Sequence, residues 1–305
     1  MCGIVGLHLK VAGLEAELGS LIAPMMDCMG TRGPDSSGLA FFSDPLAAGR
    51  FRYSVRLAKD GEGVDDEAPF QALMAELAAA TGHDVKCEQL RADGAVFAAT
   101  DNVDLLTAEL SRLRPDAVVM GFGRSMEIVK DTGTPREVCE RYDVKSRHGF
   151  QAIGHTRMAT ESAVTIDGSH PFAPTSDLAV VHNGSFSNPA TVRRKLEAQG
   201  IFCITDNDTE VAARLIGREL STGSGIHAAL KEVGNVMDGF ATLVVATDTE
   251  IAVVRDSFAC KPMVLAETNE YVAIASEYIA MTSLPGIEKA RVFEPKPEEI
   301  HVWRR

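Results

Sequence analysis

Short apolar runs bounded by glycines and turn residues dominate both ends of the chain. The first, Cys2-Gly3-Ile4-Val5-Gly6-Leu7-His8-Leu9, predicts a buried strand that begins at the terminus itself. Leu14, Leu18, Leu21, Ile22, Met25 and Met29 then recur at helical spacing, predicting a helix over 14–29 that Pro24 should kink or interrupt. A turn-rich stretch over 30–38 leads into the strand-like Leu39-Ala40-Phe41-Phe42.

Residues 54–150 have a different texture. Two helical patterns (70–77 and 105–113) and the apolar run Ala117-Val118-Val119-Met120 are separated by charged loops, which reads as an inserted α/β subdomain within a domain spanning 2–305. Gly121-Phe122-Gly123 is read as a simple turn rather than a phosphate loop. Beyond 150, strands are expected at 152–155, 178–182, 242–245, 251–254, 263–265 and 271–274. Two helices interrupt them. One runs to Gly200 with Asn188 as cap and Pro189 at the first helical position; the other covers 208–220, where Val211, Ala212, Leu215, Ile216 and Leu220 share a face. Clustered strands joined by tight turns favour antiparallel sheets covered by helices over alternating parallel units.

Composition narrows the function classes. With 45% hydrophobic and 24% charged residues over 305 positions, the chain has a core to bury. Its formal net charge of −13 repels phosphate backbones and anionic lipid, so neither nucleic acid nor membrane is expected as a partner. The absence of a signal peptide or a spanning apolar run points to a cytoplasmic protein. Six scattered cysteines without a C-x-x-C pair suggest neither a metal site nor a disulfide framework.

Cys2 stands apart from the other five. Removal of the initiator methionine, expected because the second side chain is small, would put a thiol and a free α-amine on one residue. A thiol has a reference pKa of about 8.5 and a terminal amine about 7.7–8.0, so one residue can supply both nucleophile and base. Taken alone, Cys2 reads as an ordinary buried cysteine at the end of a strand.

Four further segments change that reading. Arg32-Gly33-Pro34-Asp35, His155-Thr156-Arg157-Met158-Ala159-Thr160, His182-Asn183-Gly184 and Asp206-Asn207-Asp208-Thr209-Glu210 follow Cys2-Gly3-Ile4-Val5-Gly6 in that order. Together they resemble the class II glutamine amidotransferases, N-terminal-nucleophile hydrolases that release ammonia from glutamine. The resemblance covers 1 to about 50 and about 150 to 305. The insertion, with Gly123-Arg124-Ser125-Met126-Glu127, is similar to the stand-alone amidotransferase subunits of multi-polypeptide glutamate synthases and of N-methylglutamate synthase.

The resemblance implies an α+β fold, the four-layer αββα sandwich of these hydrolases. It implies that Cys2 attacks the carboxamide of L-glutamine, and that Asn183 and Gly184 form the oxyanion hole. Arg157 would hold the α-carboxylate and Asp208 the α-ammonium, with Thr160 helping to hold the α-substituents. Arg32 would orient the terminus and favour the thiolate. Glu161 stands where some members carry histidine. Other readings stay open at two of these positions: Asn-Gly after a strand is an ordinary turn signal, and an aspartate at a helix N-terminus is favoured by the dipole regardless of function. His155 and His170 are expected to be structural.

No nucleotide loop, flavin pattern or iron–sulfur cysteine cluster is visible in the sequence, so no cofactor or metal is expected on this chain. The resemblance implies a separate flavoprotein of glutamate synthase type, carrying FMN and iron–sulfur groups, that receives the ammonia; for N-methylglutamate synthase, methylamine would take the γ-glutamyl group instead. Two alternatives share the same residues: an N-terminal-nucleophile hydrolase of another amide, and a catalytically silent regulatory subunit of the synthase complex.

Overall fold

The computed structural model describes residues 2–57, 68–91, 94–158 and 164–305. Strands and helices are numbered along the chain. One sheet contains β1 (Gly3–Leu9), β2 (Ser36–Phe42), β7 (Met126–Thr132), β8 (Gln151–Arg157), β12 (Val264–Glu267), β13 (Tyr271–Ala275) and β14 (Arg291–Phe293). Its order is β14-β12-β13-β1-β8-β2-β7, and every pairing is antiparallel. A second antiparallel sheet contains β9 (Leu178–Phe186), β10 (Gly239–Thr247), β11 (Glu250–Arg255) and β15 (His301–Arg304), in the order β15-β11-β10-β9.

Strand alternation explains why these two sheets stack. Successive side chains point to opposite faces. In β1, Ile4 faces the second sheet, while Val5, Leu7 and Leu9 face the other way. Ile4, Ala40, Ile128 and Ile153 meet Ala179, Val181, Val244 and Val253 between the sheets, all essentially buried. On the outer side of the first sheet, Val5 and Leu7 pack on Leu18, Ile22 and Met25 of α1 (Leu18–Cys28) and on Val138 of α4 (Pro135–Arg141). On the outer side of the second, Val180, Leu243 and Val245 pack on α5 (Pro189–Glu197), α6 (Asp208–Ser221) and α7 (Ile226–Val236). Each fully buried aliphatic side chain contributes about 1.5–3 kcal/mol by leaving water. Four layers result, helix, sheet, sheet, helix, as the resemblance implied.

A third sheet and its helices stand beside this sandwich. It contains β3 (Arg50–Leu57), β4 (Lys86–Arg91), β5 (Gly94–Thr100) and β6 (Ala117–Gly123), in the order β4-β5-β3-β6. Phe70 and Leu77 of α2 (Ala68–Thr81) and Leu106 and Leu110 of α3 (Val103–Leu113) share its core with Tyr53, Val55 and Phe97. The segment 54–150 is therefore divided: β7 lies within it but forms the edge of the seven-stranded sheet, and α4 packs on α1. Arg56 of β3 ties the two parts together, pairing its guanidinium with Asp131 of β7 and donating to the Tyr142 hydroxyl at 2.8 Å.

Local expectations needed three adjustments. The helix expected over 14–29 begins as a 3-10 turn (Ala12–Glu17), and α1 continues through Pro24 because Leu18, Ile22, Met25 and Met26 are all anchored in the core. Gly121-Phe122-Gly123 is the end of β6 rather than a turn, with Gly123 paired to Arg52. Asn188 makes no capping bond to its own helix. Its amide instead donates to the Val236 carbonyl at 3.0 Å and accepts from Asp238 N at 3.0 Å, joining the start of α5 to the end of α7.

Candidate active site

The start of β1, the ends of β8 and β9 and the start of α6 converge on one edge of the sandwich. Gly3 pairs with Thr156 in the β1–β8 register, which sets Cys2 beside Arg157 and Met158. The Met158 N–H points at Cys2 Sγ at 3.5 Å. The Cys2 carbonyl is held from two sides, by Arg32 Nε at 3.0 Å and by Asn183 Nδ2 at 3.2 Å. Arg32 is 9% exposed and forms an ion pair with Glu277. Its turn lies flat against β8: a side chain on Gly33 would run into the backbone of Thr156 and Arg157, and Asp35 N donates to the Arg157 carbonyl at 3.0 Å. Arg32 thus reaches the start of the chain through the carbonyl of Cys2.

Alternation along β9 decides what Asn183 can reach. Ala179 and Val181 face the seven-stranded sheet, so Asn183 does too. Besides the Cys2 carbonyl, its Nδ2 donates to Ser276 Oγ at 3.2 Å, and its Oδ1 lies 3.0 Å from His155 Nε2. Ser276 Oγ in turn accepts from Ile4 N at 2.9 Å, fixing it to β1. Gly184 follows with φ +155°, and a Cβ there would collide with the Phe240 carbonyl oxygen and lie 2.6 Å from His182 Nε2. The position demands glycine.

Arg157 shares the inward parity of Ile153 and His155 on β8. It is 8% exposed and donates to the Gly168 carbonyl at 3.3 Å. Asp208 is the first residue of α6, whose cap is Asn207, accepting from Thr209 N at 2.9 Å. Asp208 Oδ2 accepts from Phe186 N at 2.9 Å, Oδ1 lies 3.7 Å from His182 Nδ1, and the side chain is 24% exposed. Asn207 Nδ2 also approaches the Gly168 carbonyl, at 3.5 Å, so one carbonyl links the arginine to the start of α6. Thr160 and Glu161 lie outside the described residues.

Behind these groups are three buried histidines. His155 and His170 stack with ring centroids 4.0 Å apart. His170 Nε2 and His182 Nδ1 each lie 2.9 Å from Thr209 Oγ1. Burial pushes His155 down to about 3 and His170 well below the ordinary imidazole range. His182 is lowered by burial as well, against the opposing pull of the Asp208 carboxylate. All three are neutral near pH 7.

The structure brings together Cys2, Arg32, Arg157, Asn183, Gly184 and Asp208. Sequence reasoning missed Ser276 and Glu277, which follow an unremarkable strand and carry no local signal, and it gave Thr209 and His182 no role. A groove of about 570 Å³ between α7 and strands β10 and β11, bordered by Phe186, Leu230, Met237 and Phe258, is lined by none of Cys2, Arg157 or Asn183. Among the described residues, no cluster of His, Cys, Asp or Glu could hold a metal ion, and no helix is long and apolar enough to cross a membrane.

Comparison with known proteins matches residues 155–283 to a glutamine amidotransferase domain. The glutamine amidotransferase-like protein GlxB of Rhizobium meliloti is 45% identical over 303 residues, covering 99% of this chain and 98% of that protein. An amidophosphoribosyltransferase of Methanocaldococcus jannaschii is 29% identical over 187 residues, 58% of this chain and 40% of that protein. Among solved structures, the glutamine phosphoribosylpyrophosphate amidotransferase of B. subtilis has a TM-score of 0.61 at 19% identity. That match covers 99% of this chain and 47% of the other, so it shows a shared fold and this chain spans about half of that protein. Similarity over almost the whole length to a glutamine amidotransferase-like protein shows that this chain belongs to the class II glutamine amidotransferases.

Proposed function

We propose that the chain is a glutamine amidohydrolase subunit working through a Cys2 thioester, and that it supplies ammonia to a separate flavin-dependent protein of glutamate synthase type. The observation that carries the reading is the double hold on the Cys2 carbonyl by Arg32 and Asn183, with the thiol at the Met158 N–H.

Free glutamine presents a carboxylate, an ammonium and a neutral amide. Arg157 offers a guanidinium to the carboxylate, and the Asp208 carboxylate attracts the ammonium. The α-amine of Cys2 takes the thiol proton, and the thiolate attacks the δ-carbon. One Asn183 N–H and the Gly184 N–H donate to the oxygen as it becomes negative, which requires the Asn183 amide to turn one hydrogen from the Cys2 carbonyl or Ser276 towards the substrate. The C–N bond breaks as the α-amine of Cys2 passes a proton to the leaving nitrogen, and ammonia departs. Water, deprotonated by the same amine, cleaves the thioester to glutamate and restores the thiol.

This chemistry needs Met1 removed. Intact-mass analysis of the mature chain together with a glutaminase assay tests it: a mature Cys2 terminus and ammonia release lost in Cys2→Ala are expected. Retention of methionine in an active protein would defeat it.

Support for a partner comes from the surface. Met158, Phe240, Tyr278 and Ile279 are exposed apolar side chains. The backbone N–H of Met158 meets the Cys2 thiol, Phe240 pairs with Ser185 beside Gly184, and the other two follow Glu277, the partner of Arg32. Apolar side chains around a site that must keep ammonia from water suit a covering protein. Flavin and iron–sulfur groups would belong to that protein. Co-purification from the native source tests the pairing, and full activity with no synthase subunit attached would count against it.

A further inference from the structure

We propose that His155 is a positioning residue that sets which way round the Asn183 amide faces. This rests on the glutaminase reading above and adds a residue to it.

An asparagine amide has two chemically different ends, and only the nitrogen end can stabilise an oxyanion. Asn183 must therefore keep Nδ2 towards Cys2 and Oδ1 away. On the Cys2 side, both neighbours of Nδ2, the Cys2 carbonyl and Ser276 Oγ, can accept; the Ser276 hydroxyl could equally donate to an oxygen, so it does not impose an orientation. On the far side, Oδ1 faces His155 Nε2 at 3.0 Å, and the same Nε2 lies 3.1 Å from the His182 carbonyl. Two acceptors around one ring nitrogen require that it carry hydrogen. With that hydrogen in place, a flipped amide would set N–H against N–H; the ring would keep the His182 carbonyl, but the Asn183 N–H turned towards it would face a donor instead of an acceptor. The His155 tautomer thus selects the same amide orientation from the far side that the Cys2 carbonyl, which can only accept, favours from the near side.

The ring itself is held from behind. His155 stacks on His170, which is tethered through Nε2 to Thr209 Oγ1 at 2.9 Å, and Thr209 adjoins Asp208 at the start of α6. The side chains placed against the substrate's amide and its ammonium are thereby braced by one buried cluster. The His155 ring nitrogen Nε2 meets Asn183 Oδ1 and the His182 carbonyl and not the thiol, so its effect on the amide is exerted through Asn183.

Two polar substitutions separate this role from mere packing. Gln at 155 can bring an amide N–H near the place of Nε2, whereas Asn is one carbon shorter and cannot. His155→Asn should lower kcat for glutamine hydrolysis by about 10²-fold with KM changed less than about threefold, and His155→Gln should recover most of that loss. In an Asn183→Ala background, His155→Asn should add less than about twofold, because its route of action is gone. Equal kcat for folded Gln and Asn variants, or a full His155→Asn effect on top of Asn183→Ala, would overturn the proposal. A measurement on the unaltered protein guards against variants that do not fold: nitrogen-15 NMR of the imidazoles should show His155 as the Nε2–H tautomer, and an Nδ1–H tautomer would overturn it. An inactive wild-type chain would defeat the glutaminase reading, and the tautomer would then decide the orientation of Asn183 by itself.

Discussion

Asn183, on the four-stranded sheet, donates its side-chain N–H to the carbonyl of Cys2, at the head of the seven-stranded sheet, over 3.2 Å. The seam between the two sheets therefore ends at Cys2, and whatever fixes the stacking of the sheets also fixes the distance from Cys2 to the Asn183 amide.

Replacing Asn183 with alanine should lower kcat by about 10²–10³-fold while KM for glutamine changes little, since the donor acts on charge that exists only in the transition state. Steady-state ammonia release measures both constants. A loss confined to KM would show that Asn183 binds substrate rather than stabilising the oxyanion.

Gly184→Ala should damage the fold as well as the rate. At φ +155°, with the Phe240 carbonyl where the methyl group would go, a destabilisation of about 1–3 kcal/mol is expected, read as a lower denaturant midpoint. An unchanged midpoint would mean that β9 and β10 can separate locally without cost.

Arg157→Lys keeps the charge and loses the planar fork. KM for glutamine should rise by about tenfold or more, with a smaller change in kcat, because an ammonium cannot make the bidentate pair with a carboxylate. If glutamine methyl ester and glutamine suffer equally from the substitution, Arg157 does not hold the carboxylate.

Arg32→Lys should act mainly on turnover. Arg32 reaches the Cys2 carbonyl with Nε and Glu277 with another nitrogen of the same guanidinium, a geometry one lysine nitrogen cannot reproduce. A fall of about tenfold in kcat is expected. Labelling of Cys2 by the glutamine analogue diazo-oxo-norleucine should slow in parallel, and labelling at the wild-type rate would separate Arg32 from the nucleophile.

Stability should fall on mild acidification. The folded-state pKa of His155 is depressed to about 3 against an ordinary 6.5, and those of His170 and His182 are also lowered. Below pH 6.5 the unfolded chain binds protons that the folded chain refuses, so stability present above that pH is lost progressively as pH falls towards the folded values. His155 alone accounts for about 2 kcal/mol of loss at about pH 5. Thermal melts between pH 7 and 5 read this directly, and a constant melting temperature would mean that the three imidazoles are hydrated.

Much of the fold was legible because its signals are local. The short apolar runs in Gly3–Leu9 and Leu178–Phe186, and the helical spacing in Asp208–Ser221, depend on residues within a few positions of one another. The edge strands β14 and β15, three and four residues long, are too short to carry a period, and α7 was missed. Pro24 was read as a break by a rule that considers one helix, whereas α1 is held by the sheet beneath it.

The sequence by itself determined the order of the motifs, the layered fold class and the residues Cys2, Arg157, Asn183, Gly184 and Asp208. Tertiary structure alone decided how they meet: that Arg32 and Asn183 share the Cys2 carbonyl, that Glu277 and Ser276 complete the surround, and that His155 faces the Asn183 oxygen. Those contacts join positions 28 to 245 residues apart, and a hydrogen bond forms only when strand registers and sheet stacking bring its atoms within about 3 Å. No local pattern in the chain encodes that distance.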